Sequence, residues 1–510
     1  MRSTAVVSQM TLISRVLGFV RDVIIARLFG DSMAADVFFV AFKIPNLFRR
    51  LFAEGAFAQA FVPVLAETKE TEGEAAVGGL VGAAGGTLGF VLLLVVTAGV
   101  LAAPVVIMVF APGFIGDAEK LELGTRMLRL TFPYLGFISL AALAGSVLNT
   151  YGRFAIPAIT PVLLNIALIS CALWLSPQLD EPVVALAIGV MIAGVAQLAL
   201  QFAALFGLGL NIKPVVSFAH AGVKKILVLM GPALFGVSVA QINLMLDTII
   251  ASFLETGSIS WLYYSDRLVE FPLGVFGIAL ATVVLPTLSK QFSNGQQEDF
   301  SRTLDWALRW VFLIGVPAAV ALALMAGPML ATMFGYGALG GRGVEMAALS
   351  LVAYAGGLLP FILIKVLAPG YFSRQDTRTP VRIGVIAMVA NMVLNLILVF
   401  PLAHAGLALA TTLSACINAT LLWRGLRADG VYQQLDGWGS FLLRIVIAVA
   451  VMSVTLVWLV PDVSIWLTWS VLERASHLAV AIAAGAGAYF VTLAAVGLRP
   501  RHMAMSAPGV

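Results

Sequence analysis

The sequence predicts an all-α integral membrane protein that crosses the bilayer many times. Hydrophobic residues fill 61% of its 510 positions and only 11% are charged, whereas about a quarter of residues are charged in soluble domains. The apolar residues form runs long enough to span a bilayer, which takes roughly 20 residues per helix. The 48 glycines and 22 prolines agree with membrane helices, which tolerate both residues. This composition excludes a water-soluble enzyme.

Charged or Pro/Gly-rich breaks separate fourteen predicted spans. In order, they cover residues 5–29, 34–64, 77–110, 123–149, 156–176, 183–207, 224–254, 259–288, 304–334, 346–372, 380–400, 405–425, 440–460 and 475–498. With a cytoplasmic N-terminus, most loop Lys and Arg residues lie inside and little more than Lys120 and Arg342 lie outside, as the positive-inside rule requires. We therefore expect both termini in the cytoplasm. We expect no signal peptide, because Arg15, Arg21 and Asp22 interrupt the first apolar run.

Several functional classes are excluded by the residues that the sequence lacks. The net charge of +4 comes without a dense basic and aromatic stretch, so no nucleic-acid partner is expected. Cys171 and Cys416 lie in apolar runs, without the spacing of a zinc site or a disulfide framework. HExxH, GxSxG and P-loop motifs are also missing from the sequence. We therefore predict a transporter rather than an enzyme.

An internal repeat divides the chain into two lobes. RDVIIARLF at 21–29 aligns with LDTIIASFL at 246–254, which matches Asp22 to Asp247 at an offset of 225. AFVPVLAE at 60–67 resembles VVLPTLSK at 283–290, and NTYGRFAIP at 149–157 resembles GYFSRQDTRTP at 370–380. Six predicted helices separate the copies, so both copies face the same way, as in transporters with parallel repeats. The predicted divisions are an N-lobe at 1–207, a cytoplasmic linker at 208–223, a C-lobe at 224–428, and two further helices with a tail at 429–510.

Charged side chains concentrate in the first two spans of each lobe. A charge near the bilayer centre costs roughly 2.5–3.5 kcal/mol, so these side chains must face protein or water. Arg15 and Arg21 of span 1 and Arg267 of span 8 are expected at a central cavity. Their guanidinium groups suit a phosphate or pyrophosphate, with which they form paired, charge-assisted hydrogen bonds. The alternative is internal pairing, for example of Arg21 with Asp36 or of Arg267 with Glu270.

A second grouping consists of uncharged polar residues. Asn391 and Asn395 share one face of span 11, and together with Asp247 and Thr411 they could supply oxygen ligands to a cation. The alternative is hydrogen bonding between helices, which such residues often provide in membranes.

Four long segments carry a family resemblance. They are SRVLGFVRDVIIARLFG at 14–30, ADVFFVAFKIPNLFRRLFAEGAFAQAFVPVLAE at 35–67, YYSDRLVEFPLGVFGIALATVVLPTLSK at 263–290 and KVLAPGYFSRQDTRTPV at 365–381. They closely resemble the MurJ/MviN family of bacterial lipid II flippases, and the resemblance covers essentially the whole chain. It implies the fold of the multidrug and oligosaccharide exporter superfamily, with two six-helix lobes and, in this family, two extra helices.

The resemblance also implies a function and a set of residues. It implies that lipid II, an undecaprenyl-pyrophosphate-linked disaccharide-pentapeptide, is moved from the inner to the outer leaflet of the bacterial cytoplasmic membrane. Spans 13 and 14 would then form a groove for the polyprenyl tail. The substrate residues implied are Arg15, Arg21, Arg267, Asp36, Arg49, Glu54 and Arg444. A sodium ion bound by some members implies Asp247, Asn391, Asn395 and Thr411 as its ligands, and no other cofactor is expected.

The expected mechanism is alternating access driven by the membrane potential. Lipid II and membrane lipids are the expected partners, with cell-wall synthesis proteins as further candidates. A rival function is export of another polyprenyl-linked oligosaccharide or of drugs, although an arginine-rich cavity argues against cationic drugs. Two different classes of protein also stay open, a membrane enzyme that acts on polyprenyl phosphates and a scaffold that does not transport.

Overall fold

The computed structural model describes residues 2–498, and its regular structure is helical. The α-helices are α1 (Arg2–Phe29), α2 (Met33–Phe48), α3 (Ala58–Thr71), α4 (Glu74–Leu101), α5 (Ala103–Phe110), α6 (Ala118–Thr131), α7 (Tyr134–Thr150), α8 (Ala155–Ser170), α9 (Val184–Phe206), α10 (Ala221–Ala251), α11 (Ser258–Pro272), α12 (Ile278–Ser293), α13 (Gln297–Leu324), α14 (Ala326–Met333), α15 (Gly341–Phe372), α16 (Arg378–Ala428), α17 (Trp438–Leu459), α18 (Val463–Thr468) and α19 (Val471–Ala495). Three π-helices, Arg49–Phe57, Cys171–Leu175 and Leu273–Gly277, continue α2, α8 and α11, and Pro112–Phe114 and Ser176–Gln178 are 3₁₀ turns.

All fourteen predicted apolar runs are helical, which confirms the all-α membrane fold. Ten helical segments in the described part of the chain are long and apolar enough to cross a membrane. The runs at 380–400 and 405–425 both lie in α16, a 51-residue element interrupted at Ala403, whose φ is 48°. Pro401 precedes this break and cannot donate a backbone hydrogen bond within the helix. The count of fourteen membrane spans stays a prediction.

The π-helices recur at matched positions of the predicted repeat. Pro63 and Pro286 align at an offset of 223, and the same offset places Arg49–Phe57 on residues 272–280, which include the π-helix Leu273–Gly277. A π-helix has hydrogen bonds between residues five apart, so its turns are wider than those of an α-helix. π-helices are rare in proteins, and those that occur often lie at functional sites. Two of the three π-helices thus lie at positions that the sequence repeat matches.

The chain divides into two compact units, Met1–Ile259 and Ser260–Val510. In the first unit, Val223 and Ile226 at the start of α10 join a buried core with Phe57 and Leu80. Helix α10, predicted as the first helix of the C-lobe, is therefore part of the first unit. The predicted lobe boundaries come from the repeat rather than from packing, and they stay a prediction.

The predicted linker runs along a groove of α4 that is lined by glycine. A Cβ atom at Gly82 would overlap the Lys213 carbonyl oxygen, and one at Gly86 would lie 2.6 Å from Val215. The Val215 backbone N–H donates to the Gly82 carbonyl over 3.1 Å. The spacing of the two contacts is the same on both segments. Gly82 and Gly86 are separated by about 6 Å along the helix, and Lys213 and Val215 by about 6.6 Å along the extended linker. Only glycine allows the linker backbone to lie this close to the helix.

In the second unit, a buried carboxylate fixes the start of α17. Asp305 of α13 is 0% exposed and pairs with Arg309 over 2.7 Å. It also accepts hydrogen bonds from the Tyr432 hydroxyl (2.9 Å) and the Trp438 Nε1 (2.7 Å). Burial, followed by the nearby Asp305 charge, raises the pKa of the Tyr432 phenol, so it stays protonated and donates. The loop into α17 is thereby attached to α13.

Two more buried contacts fix α19. The Arg474 guanidinium donates to the carbonyl oxygens of Ala331 (2.9 Å) and Gly335 (2.8 Å) at the end of α14. Two turns before the end of α19, the Tyr489 hydroxyl donates to the Leu313 carbonyl of α13 over 2.7 Å. The C-terminal helices are therefore attached to the second unit along their length.

Candidate functional site

Arg21, a predicted cavity residue, is held by two neighbours in the first unit. Its Nε and Nη2 atoms donate to Asp22 Oδ1 over 2.9 and 2.7 Å. Its Nη1 atom donates to Asn165 Oδ1 of α8 over 3.0 Å. Arg21 thus pairs with the adjacent Asp22, and the pairing with Asp36 that the sequence offered as an alternative stays a prediction. The Arg21 side chain is 11% exposed and that of Asp22 is 3% exposed, so both members of this ion pair are largely buried.

Arg15 lies six residues before Arg21 on the same helix, about 9 Å away along its axis. Its side chain is exposed. The two arginines therefore differ in setting, because Arg21 is fixed by hydrogen bonds and Arg15 is open to the surroundings of the helix.

Asp36 of α2 is hydrogen-bonded to the turn that follows α10. It is 3% exposed and accepts a 2.6 Å hydrogen bond from the backbone N–H of Gly257, in the turn between α10 and α11. One side of α2 thus contacts the end of α10, since Lys43 donates to Thr248 over 2.6 Å. Asp36 and Lys43 join α2 to α10 and to the turn after it.

The end of α10 is also hydrogen-bonded to the turn after α5. The backbone N–H of Gly113, in the 3₁₀ turn after α5, donates to Ser252 Oγ over 3.0 Å. A Cβ atom at Gly113 would overlap the Ser252 carbonyl. Lys120 adds a 2.9 Å hydrogen bond to Thr256. We call this set of contacts around residues 252–257 the α10 end junction.

Arg49 and Glu54 both lie in the π-helix that follows α2. The Arg49 Nε atom donates to Asn46 Oδ1, one turn earlier, over 3.1 Å. The side chain of Glu54 is outside the described part of the structure.

Arg267 lies in the second unit, on α11. Its Nη1 atom is 2.7 Å from Glu270 Oε2, and its guanidinium carbon is 4.7 Å from the centre of the Tyr263 ring. The pair with Glu270 is the internal pairing that the sequence left open. It leaves Arg267 partly accessible, with 35% of the side chain exposed. The convergence of Arg15, Arg21 and Arg267 on one cavity stays a prediction.

Arg444 lies on α17, two residues beyond Leu442. Leu442 lines a cavity of about 360 Å³ between α13, α15, α16 and α17. The lining is mainly apolar, with Tyr432, Gln434 and Trp438 at the end that carries the loop before α17. An apolar cleft therefore lies beside the first of the two extra helices.

The predicted sodium ligands within the second unit are hydrogen-bonded to one another. Asn391 and Asn395 are both 0% exposed, and Asn395 Nδ2 donates to Asn391 Oδ1 over 2.8 Å. Asn391 Nδ2 in turn donates to Thr411 Oγ1 over 3.4 Å. The hydrogen bond from Asn395 uses one of the two lone pairs of Asn391 Oδ1, so these neutral groups could still offer oxygens to a cation. Asp247, the one carboxylate of the set, lies in the first unit, and the sodium site stays a prediction.

Among the side chains that the structure describes, no group of three or more His, Cys, Asp or Glu is able to hold a metal ion. Asp22 and Asn165 were not among the predicted site residues, although both contact Arg21. In the sequence, Asp22 stands out only as a marker of the repeat. Asn165 offers one signal, an amide side chain inside an otherwise apolar span.

Comparison with known proteins gives the family. The family described as "Lipid II flippase MurJ" matches residues 25–477. The chain belongs to the lipid II flippase MurJ family. A probable lipid II flippase MurJ from Vibrio cholerae is 49% identical over 510 residues, covering 99% of this chain and 97% of that protein.

Solved structures agree with this MurJ family membership. A structure described as lipid II flippase MurJ in an inward closed conformation superposes with a TM-score of 0.80 at 26% identity, covering 95% of this chain and 97% of the other. An inward-facing multidrug exporter of the MATE family gives a TM-score of 0.70 at 14% identity, covering 84% of this chain and 98% of the other. The second likeness concerns the fold, and it agrees with the exporter architecture that the sequence predicts.

Proposed function

We propose that this chain is a flippase that moves lipid II from the inner to the outer leaflet of the bacterial cytoplasmic membrane. The observation that carries the proposal is the placement of arginines on apolar membrane helices in a chain of the MurJ family. Arginine is costly in a bilayer and is kept there for a polar pathway. A pyrophosphate-linked lipid gives these arginines a matching ligand.

Arg21 and Arg267 would recognise the pyrophosphate. Each guanidinium is oriented by a carboxylate on its own helix, Asp22 for Arg21 and Glu270 for Arg267. An oriented guanidinium loses less side-chain freedom when it binds phosphate oxygens in its fork. Arg15, with its exposed side chain, would act in the first capture of the head group.

The α10 end junction would close the outer side of the transport pathway. It joins α2 and the turn after α5 to residues 252–257, where α10 ends and α11 begins. With both chain termini in the cytoplasm, this end of α10 faces outward. Breaking these hydrogen bonds would allow the pathway to open outward, as alternating access requires.

The C-terminal helices would guide the polyprenyl tail. The apolar cavity of about 360 Å³ beside α17 offers a surface on which an isoprenoid chain can lie without entering water. Arg444, on the same helix α17, would then meet the head group as it enters.

The membrane potential would supply the driving force. An anion that moves outward from a negative interior gains about 2.3 kcal/mol per charge per 100 mV, so a doubly charged pyrophosphate gains roughly 4–5 kcal/mol. Collapse of the potential with an ionophore should stop the appearance of lipid II on the outer leaflet. Undiminished flipping in depolarised cells would contradict this driving force and favour ion coupling, with Asp247 as the first residue to test.

The function is tested by complementation of a bacterium depleted of its own lipid II flippase. Wild-type chain and the variants Arg21→Ala and Arg267→Ala would be expressed at equal levels, and lipid II on the outer leaflet would be measured by an impermeant probe. We expect at least a tenfold loss for each variant. Arg302→Ala is the control, because Arg302 also pairs with a glutamate on its own helix, Glu298, but lies on an exposed surface. Full lipid II exposure with either cavity variant would show that the proposal is wrong.

A further inference from the structure

The hydrogen bonds around Arg21 give a specific role to Asn165 of α8. Asn165 is 5% exposed and makes two side-chain hydrogen bonds to α1. Its Oδ1 atom accepts from Arg21 Nη1 over 3.0 Å, and its Nδ2 atom donates to the Ser14 carbonyl over 2.9 Å. We propose that Asn165 is a positioning residue that holds the Arg21 guanidinium for substrate binding.

The geometry of α1 explains how one amide reaches both groups. At 100° per residue, Ser14, Gly18 and Arg21 lie within about 60° of one another around the helix. Asn165 lies opposite the middle of this face, since a Cβ atom at Gly18 would be 3.6 Å from its Nδ2. Side chains on a helix lean toward its N-terminus, so Arg21 extends back to Asn165. The absence of a side chain at Gly18 leaves room for the amide.

The chemistry of the two contacts is satisfied by an amide. Arginine can only donate and a backbone carbonyl can only accept, so the residue between them must both accept and donate, which an amide does with two separate atoms. Leucine has a similar size and provides neither group. Aspartate could accept from Arg21, but its second carboxylate oxygen would face the Ser14 carbonyl oxygen. Both of these oxygens are acceptors, so no hydrogen bond would form between them.

Asn165 and Asp22 together restrain the guanidinium from two sides. Asp22 binds Nε and Nη2, and Asn165 binds Nη1. If Asn165 is removed, Arg21 keeps its ion pair but can rotate about it. Because guanidinium recognition of a phosphate depends on orientation, the expected result is weaker substrate binding in a protein that is still folded.

This inference rests on the proposed function, and equilibrium binding of fluorescent lipid II to the purified full chain in nanodiscs tests it. We expect Asn165→Leu to weaken binding about tenfold, or about 1.4 kcal/mol, with a melting temperature close to that of the wild type. Asn165→Asp, which keeps the side-chain volume, is the second variant and should also weaken binding. Asn149→Leu, at an exposed asparagine of α7, is the matched control and should bind normally.

A double-variant cycle separates positioning from a general structural effect. If Asn165 acts through Arg21, adding Asn165→Leu to Arg21→Ala should cause no further loss of affinity. A further tenfold loss in the double variant would overturn the positioning role, and so would wild-type affinity in both single Asn165 variants. Wild-type affinity in Arg21→Ala alone would instead refute the proposed role of Arg21, and this inference would fail with it.

Discussion

Replacing Asp305 by asparagine should release the start of α17 from α13. The carboxylate is 0% exposed and accepts hydrogen bonds from Tyr432, Leu435 and Trp438 besides its pair with Arg309. Hydrogen bonds to a charged group contribute about 1.5–3 kcal/mol each, and breaking a buried ion pair costs about 3–5 kcal/mol. Asparagine keeps one acceptor oxygen, and the partly exposed Arg309 can be solvated. We therefore expect a loss of about 3 kcal/mol.

Hydrogen exchange of the loop before α17 measures this loss directly. The Leu435 amide donates to Asp305 over 3.3 Å, so its protection should fall about a hundredfold if the local stability falls by about 3 kcal/mol. Thermal melting at a fixed scan rate gives a second measurement. Asp436→Asn, at an exposed carboxylate of the same loop, is the control. Unchanged protection in Asp305→Asn, or an equal loss in the control, would refute the assignment of Asp305 as the anchor.

Three further substitutions test other contacts. Gly82→Ala should expel the linker from α4 and raise its tryptic cleavage at least tenfold, whereas Gly79→Ala, whose Cβ would meet nothing within 4 Å, should leave cleavage unchanged. Gly113→Ala should break the α10 end junction and increase cysteine labelling of residues placed there, whereas Gly116→Ala, also in open space, should not. Arg474→Met should lower the stability by about 3 kcal/mol, because buried carbonyls lose their donor, and an unchanged melting temperature would contradict this.

The sequence predicts helices well where a single property, a long apolar run, decides the structure. The predicted run 183–207 corresponds to α9 at Val184–Phe206, and 440–460 corresponds to α17 at Trp438–Leu459. The left-handed backbone of Ala403 and the π-helices are different in kind. They depend on packing against other helices, and apolar periodicity carries no information about them.

In the candidate site too, some features could be predicted from the sequence and others depend on how the helices pack. The bilayer cost of charge marks Arg21 and Arg267 as candidates in the sequence, and their role in the site stays a prediction. The partners of Arg21 were harder to predict, because it is held by its immediate neighbour Asp22 and by Asn165, which is 144 residues away. A lone asparagine in an apolar span suits many roles, and only the approach of α8 to α1 at Gly18 selects one of them.

The attachment of the C-terminal helices has a consequence for transport. Asp305, Leu313 and Ala331 follow one another along α13 and α14, and each is bonded to a different part of the α17–α19 segment. Three anchors at three levels resist both sliding and tilting of this segment, whereas a single anchor would allow rotation about it. The proposed groove for a lipid tail at α17 would therefore keep its shape if the second unit moves as a body. Loss of one anchor should thus impair handling of the tail before it affects recognition of the pyrophosphate by Arg21 or Arg267.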